Sequence, residues 1–191
     1  MRERIKDIII ESIQMKEELL RSHVTQIKEI SDIVIDALKK GGKVMVFGNG
    51  GSASDSQHIA AELVGRFKKD RSALPAIALT TNTSIITAIA NDYGYEAVFA
   101  KQVEALGQKN DVAIGISTSG KAKNVVMAIK QAKKIGMKTI ALTGADGGEL
   151  VKLADTSLVV PSSVTARIQE AHITIGHIVC ELVEQALYQQ P

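Results

Sequence analysis

Apolar residues fall into two rhythms along this chain. Over residues 3–40, Ile5, Ile8, Ile9 and Ile13, with Ser12 in the same stripe, and then Ile27, Ile30, Val34 and Leu38 recur at intervals of three and four. That spacing predicts two helices, with a break around Arg21-Ser22 near His23 and an end at Gly41-Gly42. From Lys43 onward, short continuous apolar runs replace the helical stripe, at 44–47, 76–79, 112–116, 139–142 and 157–160. Each of the first four runs into a loop of Gly, Ser, Thr or Asn and then a helical pattern; the helices are expected just after 51, up to about 89, over about 124–135 and briefly after 148. Pro161 stops the fifth run, and a long helix is expected over about 163–188. Short, uninterrupted apolar strands alternating with helices predict an α/β protein whose parallel sheet is covered on both faces. Ligands of such sheets bind beyond the carboxyl ends of the strands. The polar loops fall at those ends, and no linker or low-complexity stretch divides the chain.

Composition narrows the partners. The 191 residues suit one domain with one core, and the hydrophobic fraction of 45% excludes a disordered chain. A net charge of +2 from scattered Lys and Arg, three Phe, three Tyr and no Trp exclude nucleic acid as an expected partner. No apolar run approaches a membrane span, and MRERIKDIIIESIQ lacks the features of a signal peptide. The one cysteine, Cys180, has no internal partner and lies on a helical apolar pattern, so it is expected to fill core in a reducing compartment, by default the cytoplasm.

The chemistry concentrates in KVMVFGNGGSASDSQHIAAEL, residues 43–63. A strand, the turn Gly48-Asn49-Gly50-Gly51 and a helix beginning among Ser52, Ser54, Asp55 and Ser56 offer free backbone N–H groups, a positive dipole end and hydroxyls to an anion. His58 and Glu62, four apart, project from one face of that helix. Gly48 to Ala53 also satisfies the relaxed dinucleotide fingerprint, but the next strand ends in Thr80-Thr81 where a ribose-binding acid belongs. There is no G-K-[ST] for a P-loop, and Ser119 stands where a nucleophile elbow around Ser117 needs glycine. Ser117-Thr118-Ser119-Gly120 is a second strand-to-helix loop with three hydroxyls. One such loop is as well explained by ordinary helix capping; two on one sheet favour a phosphate monoester. The last helix adds Gln169 and His177, eight apart and about 80° round the helix, whereas His172 lies on a different face and reads as a structural or surface residue.

Together, GNGGSxxDxxHxAxEL, ISTSG, LTGxDGG and RIQExHxxxxHxxCELVE resemble the phosphoheptose isomerases, the sedoheptulose 7-phosphate isomerases of the SIS (sugar isomerase) fold. The resemblance covers nearly the whole chain. It implies a three-layer α/β/α sandwich on a five-stranded parallel sheet, with residues 1–40 as an N-terminal helical extension to a phosphosugar-binding domain of residues 41–191. It implies a homotetramer with sites between subunits, acting on a small sugar phosphate: isomerisation of sedoheptulose 7-phosphate to D-glycero-D-manno-heptose 7-phosphate, the entry to heptose nucleotides for lipopolysaccharide core or for other heptose glycoconjugates. By the resemblance, Glu62 and His177 are the acid/base pair, and His58, Glu62, Gln169 and His177 are zinc ligands. Asn49, Gly50, Gly51, Ser52, Glu62, Asn91, Asp92, Ser117, Thr118, Ser119 and Gln169 bind substrate. Gln is an uncommon zinc ligand, which implies a weakly held ion. In many relatives a serine follows two residues after the glycine of ISTSG; here Ala122 stands there, preceded by Lys121. Lys121 is then either a solvated surface lysine or a cation that replaces the missing hydroxyl at the phosphate. Two alternative functions are another phosphosugar aldose–ketose isomerase and a non-catalytic SIS protein that associates with the replication initiator.

Overall fold

Five parallel strands form one sheet in the computed structural model, which describes residues 1–188. They are β1 (Val44–Gly48), β2 (Ala76–Ala78), β3 (Val112–Ser117), β4 (Lys138–Gly144) and β5 (Thr156–Val160), in the order β2-β1-β3-β4-β5. Eight α-helices surround them: α1 (Arg2–Ser22), α2 (Val24–Lys39), α3 (Gly51–Val64), α4 (Thr83–Tyr93), α5 (Val98–Leu106), α6 (Lys123–Ile135), α7 (Leu150–Leu153) and α8 (Thr165–Tyr188). Gln189, Gln190 and Pro191, the last residues assigned to the domain from sequence, lie outside the described residues.

The two faces of the sheet follow from side-chain alternation along each strand. Val44 and Val46 of β1 join Ile114, Ile140, Leu142 and Leu158 against α2, α3 and α8. Met45 and Phe47 point the other way, into a core with Phe99, Val103, Val125, Ile129 and Leu150. Both faces are apolar, so β1 and β3 are buried throughout, as their uninterrupted hydrophobic runs predict. The order of the strands reverses the direction of winding between β1 and β3. That switch point opens a crevice at their carboxyl ends.

The N-terminal helices meet at His23, one residue beyond the expected break. α2 packs on its own domain: Ile27, Ile30, Val34 and Ala37 belong to the same core cluster as the strands. α1 is different. Met15 and Leu19 are buried, yet Ile5, Ile9, Ile10 and Ile13 remain about half exposed. The expected stripe therefore exists, but Ile5, Ile9 and Ile13 in its first half are only partly covered by the rest of the described chain. α5 is the one longer helix that the apolar rhythm did not predict. Its stripe of Val98, Phe99, Gln102 and Val103 is short and includes a polar member. Gln102 is buried because its Nε2 donates to the carbonyls of Leu79 and Val98, tying α5 to the end of β2.

Candidate active site

The turn after β1 begins the site. Gly50 takes a positive φ of 55°, which glycine adopts without strain, and α3 starts at Gly51 with its first N–H groups at the crevice. A Cβ on Gly51 would overlap the Gln169 side-chain amide, whose Cδ lies 2.8 Å from that position. Glycine at this point lets α8 bring Gln169 against the start of α3. α3 and α8 then run side by side, with Gly176 packed on Ile59. Two turns along α3, His58 Nε2 lies 3.1 Å from Glu62 Oε1 and 3.2 Å from His177 Nε2. The two imidazoles meet edge to face at 65°, and Phe67 backs His177 with ring centroids 5.7 Å apart.

One imidazole Nε2 carries either one N–H or one lone pair, so His58 cannot satisfy both Glu62 and His177 as a donor along two directions. His58, Glu62 and His177 thus aim ligand atoms at one another, all within 4.8 Å. Two imidazoles and a carboxylate are a donor set suited to zinc. His58, Glu62 and His177 are three of the four residues read as metal ligands; the side-chain amide of the fourth, Gln169, lies beside Gly51 at the start of α3.

The loop after β3 faces the same crevice. Ser117 is buried, Thr118 half-buried and Ser119 exposed. Gly120 has φ 64°, and a Cβ there would collide with the Gly147 carbonyl. Its own carbonyl accepts from the N–H groups of Glu149 and Leu150. The ISTSG and LTGADGG loops are therefore clamped backbone to backbone, which explains both glycine clusters. Lys121 Nζ pairs with Asp146 at 2.8 Å, across this clamp. The ammonium thus has a protein partner at the surface of the two loops, in an exposed ion pair. Lys121 also draws the Asp146 carboxyl below its ordinary value, mainly by that hydrogen bond.

Asn91 and Asp92 lie exposed at the end of α4, where Asn91 Nδ2 donates to Asp92 Oδ1; the side-chain bond they make is to each other, not to the loops. A short 3-10 turn follows, and Tyr95 swings its hydroxyl back to Asn49 Oδ1 at 3.3 Å. Ser52 is buried under the turn, with its N–H bonded to the Asn49 carbonyl. His172 is fully buried, its Nε2–H donating to the Thr143 carbonyl, and burial lowers its pKa to about 4, so it stays neutral and, of the structural and surface roles expected, takes the structural one. Cys180 is buried too, and burial pushes its thiol up to about 12, making it an inert core group.

Some features escaped the sequence reading. Asp55, one turn before His58, has a buried Oδ2 without a hydrogen-bond partner among the described residues; burial pushes its carboxyl up to about 6 against the pull of His58. Glu184 on α8 accepts from the backbone N–H groups of Phe67, Lys68 and Lys69 and from Arg71 Nε. Arg71 in turn donates to the carbonyls of Glu62 and Leu63 at the end of α3. This buried pair folds the segment after α3 back over the cluster and seats Phe67 on His177. An acid within the apolar stripe of α8 was the available signal.

A crevice at the switch point of a parallel sheet, bordered by two hydroxyl-rich loops, is the build of a sugar-phosphate-binding protein of the SIS class, and the SIS domain family model matches residues 9–144. The phosphoheptose isomerase of Aquifex aeolicus is 54% identical over 190 residues, spanning 100% of both chains. That of Thermodesulfovibrio yellowstonii is 52% identical over 99% of this chain and 94% of its own. The solved phosphoheptose isomerase of Neisseria gonorrhoeae superposes with a TM-score of 0.92 at 44% identity, covering 96% of this chain and 98% of that one. The chain belongs to the phosphoheptose isomerase family of SIS-domain proteins and is an isomerase, which sets aside the non-catalytic alternative.

Proposed function

We propose that the protein converts sedoheptulose 7-phosphate to D-glycero-D-manno-heptose 7-phosphate in the cytoplasm, supplying heptose for nucleotide-activated precursors of lipopolysaccharide. The observation that supports this reading best is the convergence of His58, Glu62 and His177 within 4.8 Å, two turns along the helix that follows the β1 turn. Aldose–ketose isomerisation moves one proton between adjacent carbons and another between their oxygens, through a cis-enediol. Glu62 takes the proton from C1 of the ketose and returns it to C2. Its Oε1 faces His58, leaving Oε2 for this transfer. His177 carries the second proton between O2 and O1. The loop amides of residues 49–51, with Ser52 beneath them, and the hydroxyls of Ser117, Thr118 and Ser119 hold the substrate's oxygens, with Gln169 at the mouth of α3 and Asn91 and Asp92 as further contacts.

His58, Glu62 and His177 would hold a zinc ion, with Gln169 as the fourth member of the set. A bound zinc supplies Lewis-acid polarisation of the carbonyl. With such an ion held through Glu62 Oε1 and His177 Nε2, Glu62 Oε2 and His177 Nδ1 would remain for the proton transfers. Incubation with sedoheptulose 7-phosphate, beside a panel of other ketose and aldose phosphates, tests substrate and metal together. The heptose phosphate is expected as the preferred substrate, with activity falling on chelation and restored by zinc. Preference for another sugar phosphate would refute the substrate, and full activity in metal-free protein would refute the ion's role.

The half-exposed Ile5, Ile9, Ile10 and Ile13 support a homotetramer in which α1, the first part of the extension of residues 1–40, supplies the assembly surface, while α2 packs on the sugar-phosphate domain of residues 41–191. Four half-exposed isoleucines on one helix are costly to leave in water at about 25 cal/mol per Å². Light scattering is expected to give four chains per particle; a monomer at micromolar concentration would exclude this assembly.

A further inference from the structure

Two asparagines face each other across the switch point of the sheet. Asn49 follows β1, and Asn124 is the second residue of α6, after the loop that follows β3. Asn49 Nδ2 donates to Asn124 Oδ1 at 2.9 Å, and Asn124 Nδ2 donates to Asn49 Oδ1 at 2.8 Å. The orientation of both amides is forced. Asn124 Oδ1 also accepts from the backbone N–H of Val125 at 2.9 Å, and a backbone N–H can only donate. That atom must therefore be oxygen. The other end of Asn124 must then be the NH₂, so the Asn49 atom that it meets must be oxygen, and the remaining Asn49 atom nitrogen. The usual ambiguity of amide flips is removed by one helix-start N–H. Ala122, the N-cap of α6, has no side chain to take that bond, and Asn124 supplies it instead.

The consequence lies at Asn49. Its oxygen takes two donors, Asn124 Nδ2 and the Tyr95 hydroxyl, and so is filled. Its nitrogen keeps one N–H. Asn124 is buried at 4% exposure, while Asn49 is half-buried at the crevice, so that N–H is the polar group Asn49 still has to offer. We propose that Asn124 is a positioning residue that fixes Asn49 as a donor, never an acceptor, to an oxygen of the sugar phosphate. This rests on the reading of the β1–α3 turn as the substrate site. It also ties the two substrate loops together directly, since one loop's ligand group is oriented by a residue from the helix of the other.

Kinetics on sedoheptulose 7-phosphate for Asn49→Ala, Asn124→Ala and the double variant, with thermal melts of each, test the proposal. Asn49→Ala is expected to lower kcat/KM by about tenfold or more, the scale of a lost hydrogen bond to an oxygen of the substrate. Asn124→Ala should show a loss of similar size, and the double variant should be no worse than Asn49→Ala within about twofold, because the second residue acts only through the first. Asn124→Asp separates positioning from helix capping. It keeps the acceptor for Val125 N–H but cannot donate to Asn49 Oδ1, so kcat/KM should fall while the melting temperature holds within a few degrees. Multiplicative losses in the double variant, or wild-type kcat/KM in folded Asn124→Asp, would overturn the positioning role alone. An Asn49→Ala enzyme with unchanged kcat/KM would overturn both that role and the reading of the turn as the substrate site.

Discussion

Glu62→Gln and His177→Ala are each expected to lower kcat by at least about a hundredfold, the lower range of what positioned acid–base groups contribute. Gln keeps the shape of Glu62 and a hydrogen-bonding oxygen for His58, but it cannot accept a carbon-bound proton. Alanine at 177 removes the group proposed to carry the hydroxyl proton and leaves Phe67 facing a gap. Neither residue is fully buried, so both variants should fold, and circular dichroism melts close to wild type would establish that. Saturating-substrate turnover is the deciding measurement. A folded variant that retains near-normal kcat removes that residue from the proton transfers. His172→Gln serves as a contrast: His172 points at the Thr143 carbonyl inside the core, not at the cluster.

Glu184→Ala should be the most destabilising single change among those considered. Its side chain and that of Arg71 are about 3% and 2% exposed, and their partners are three backbone N–H groups and the end of α3. Removing one member of such a pair strands the other charge away from water and costs on the order of 3 kcal/mol. At roughly 2–4 °C per kcal/mol for a chain of this size, the melting temperature should drop by about 10 °C. The pH dependence has a definite sign. Burial would raise the Glu184 carboxyl, but the N–H groups of Lys68, Phe67 and Lys69 and the Arg71 guanidinium outweigh it and hold the carboxyl below its ordinary value. The folded pKa is thus below the unfolded one. Its contribution is complete above the ordinary glutamate pKa and is lost as pH falls through the depressed value. Melts of Glu184→Ala and wild type should therefore converge in acid. A gap that stays constant from pH 7 down to pH 3 would show that packing, not charge, holds the segment.

Much of the site was legible before any coordinates. Strand-loop-helix order placed the turn after β1 and the ISTSG loop at one edge of the sheet, and four-residue spacing put His58 and Glu62 on one face of α3. These features depend on near neighbours: apolar periodicity, glycines where φ is positive, hydroxyls at helix starts. The meeting of His58 with His177, 119 residues apart, was supported only by resemblance, since periodicity on two separate helices cannot say which faces will oppose. Lys121 shows the same limit. Its place at a helix start made a phosphate partner reasonable, but Asp146, 25 residues on, had a claim visible only once the two loops were clamped together.

What the sequence by itself determined was the class of fold, the edge of the sheet that carries the chemistry and the shared helix face of His58 and Glu62, because each is written in short-range pattern and turn chemistry. The tertiary structure decided how those side chains are oriented and held. The Asn49–Asn124 pair spans 75 residues and the Arg71–Glu184 pair 113. Buried polar groups must find partners wherever packing delivers them, and which residues packing delivers is a property of the whole sheet and its two helical layers rather than of any stretch of chain.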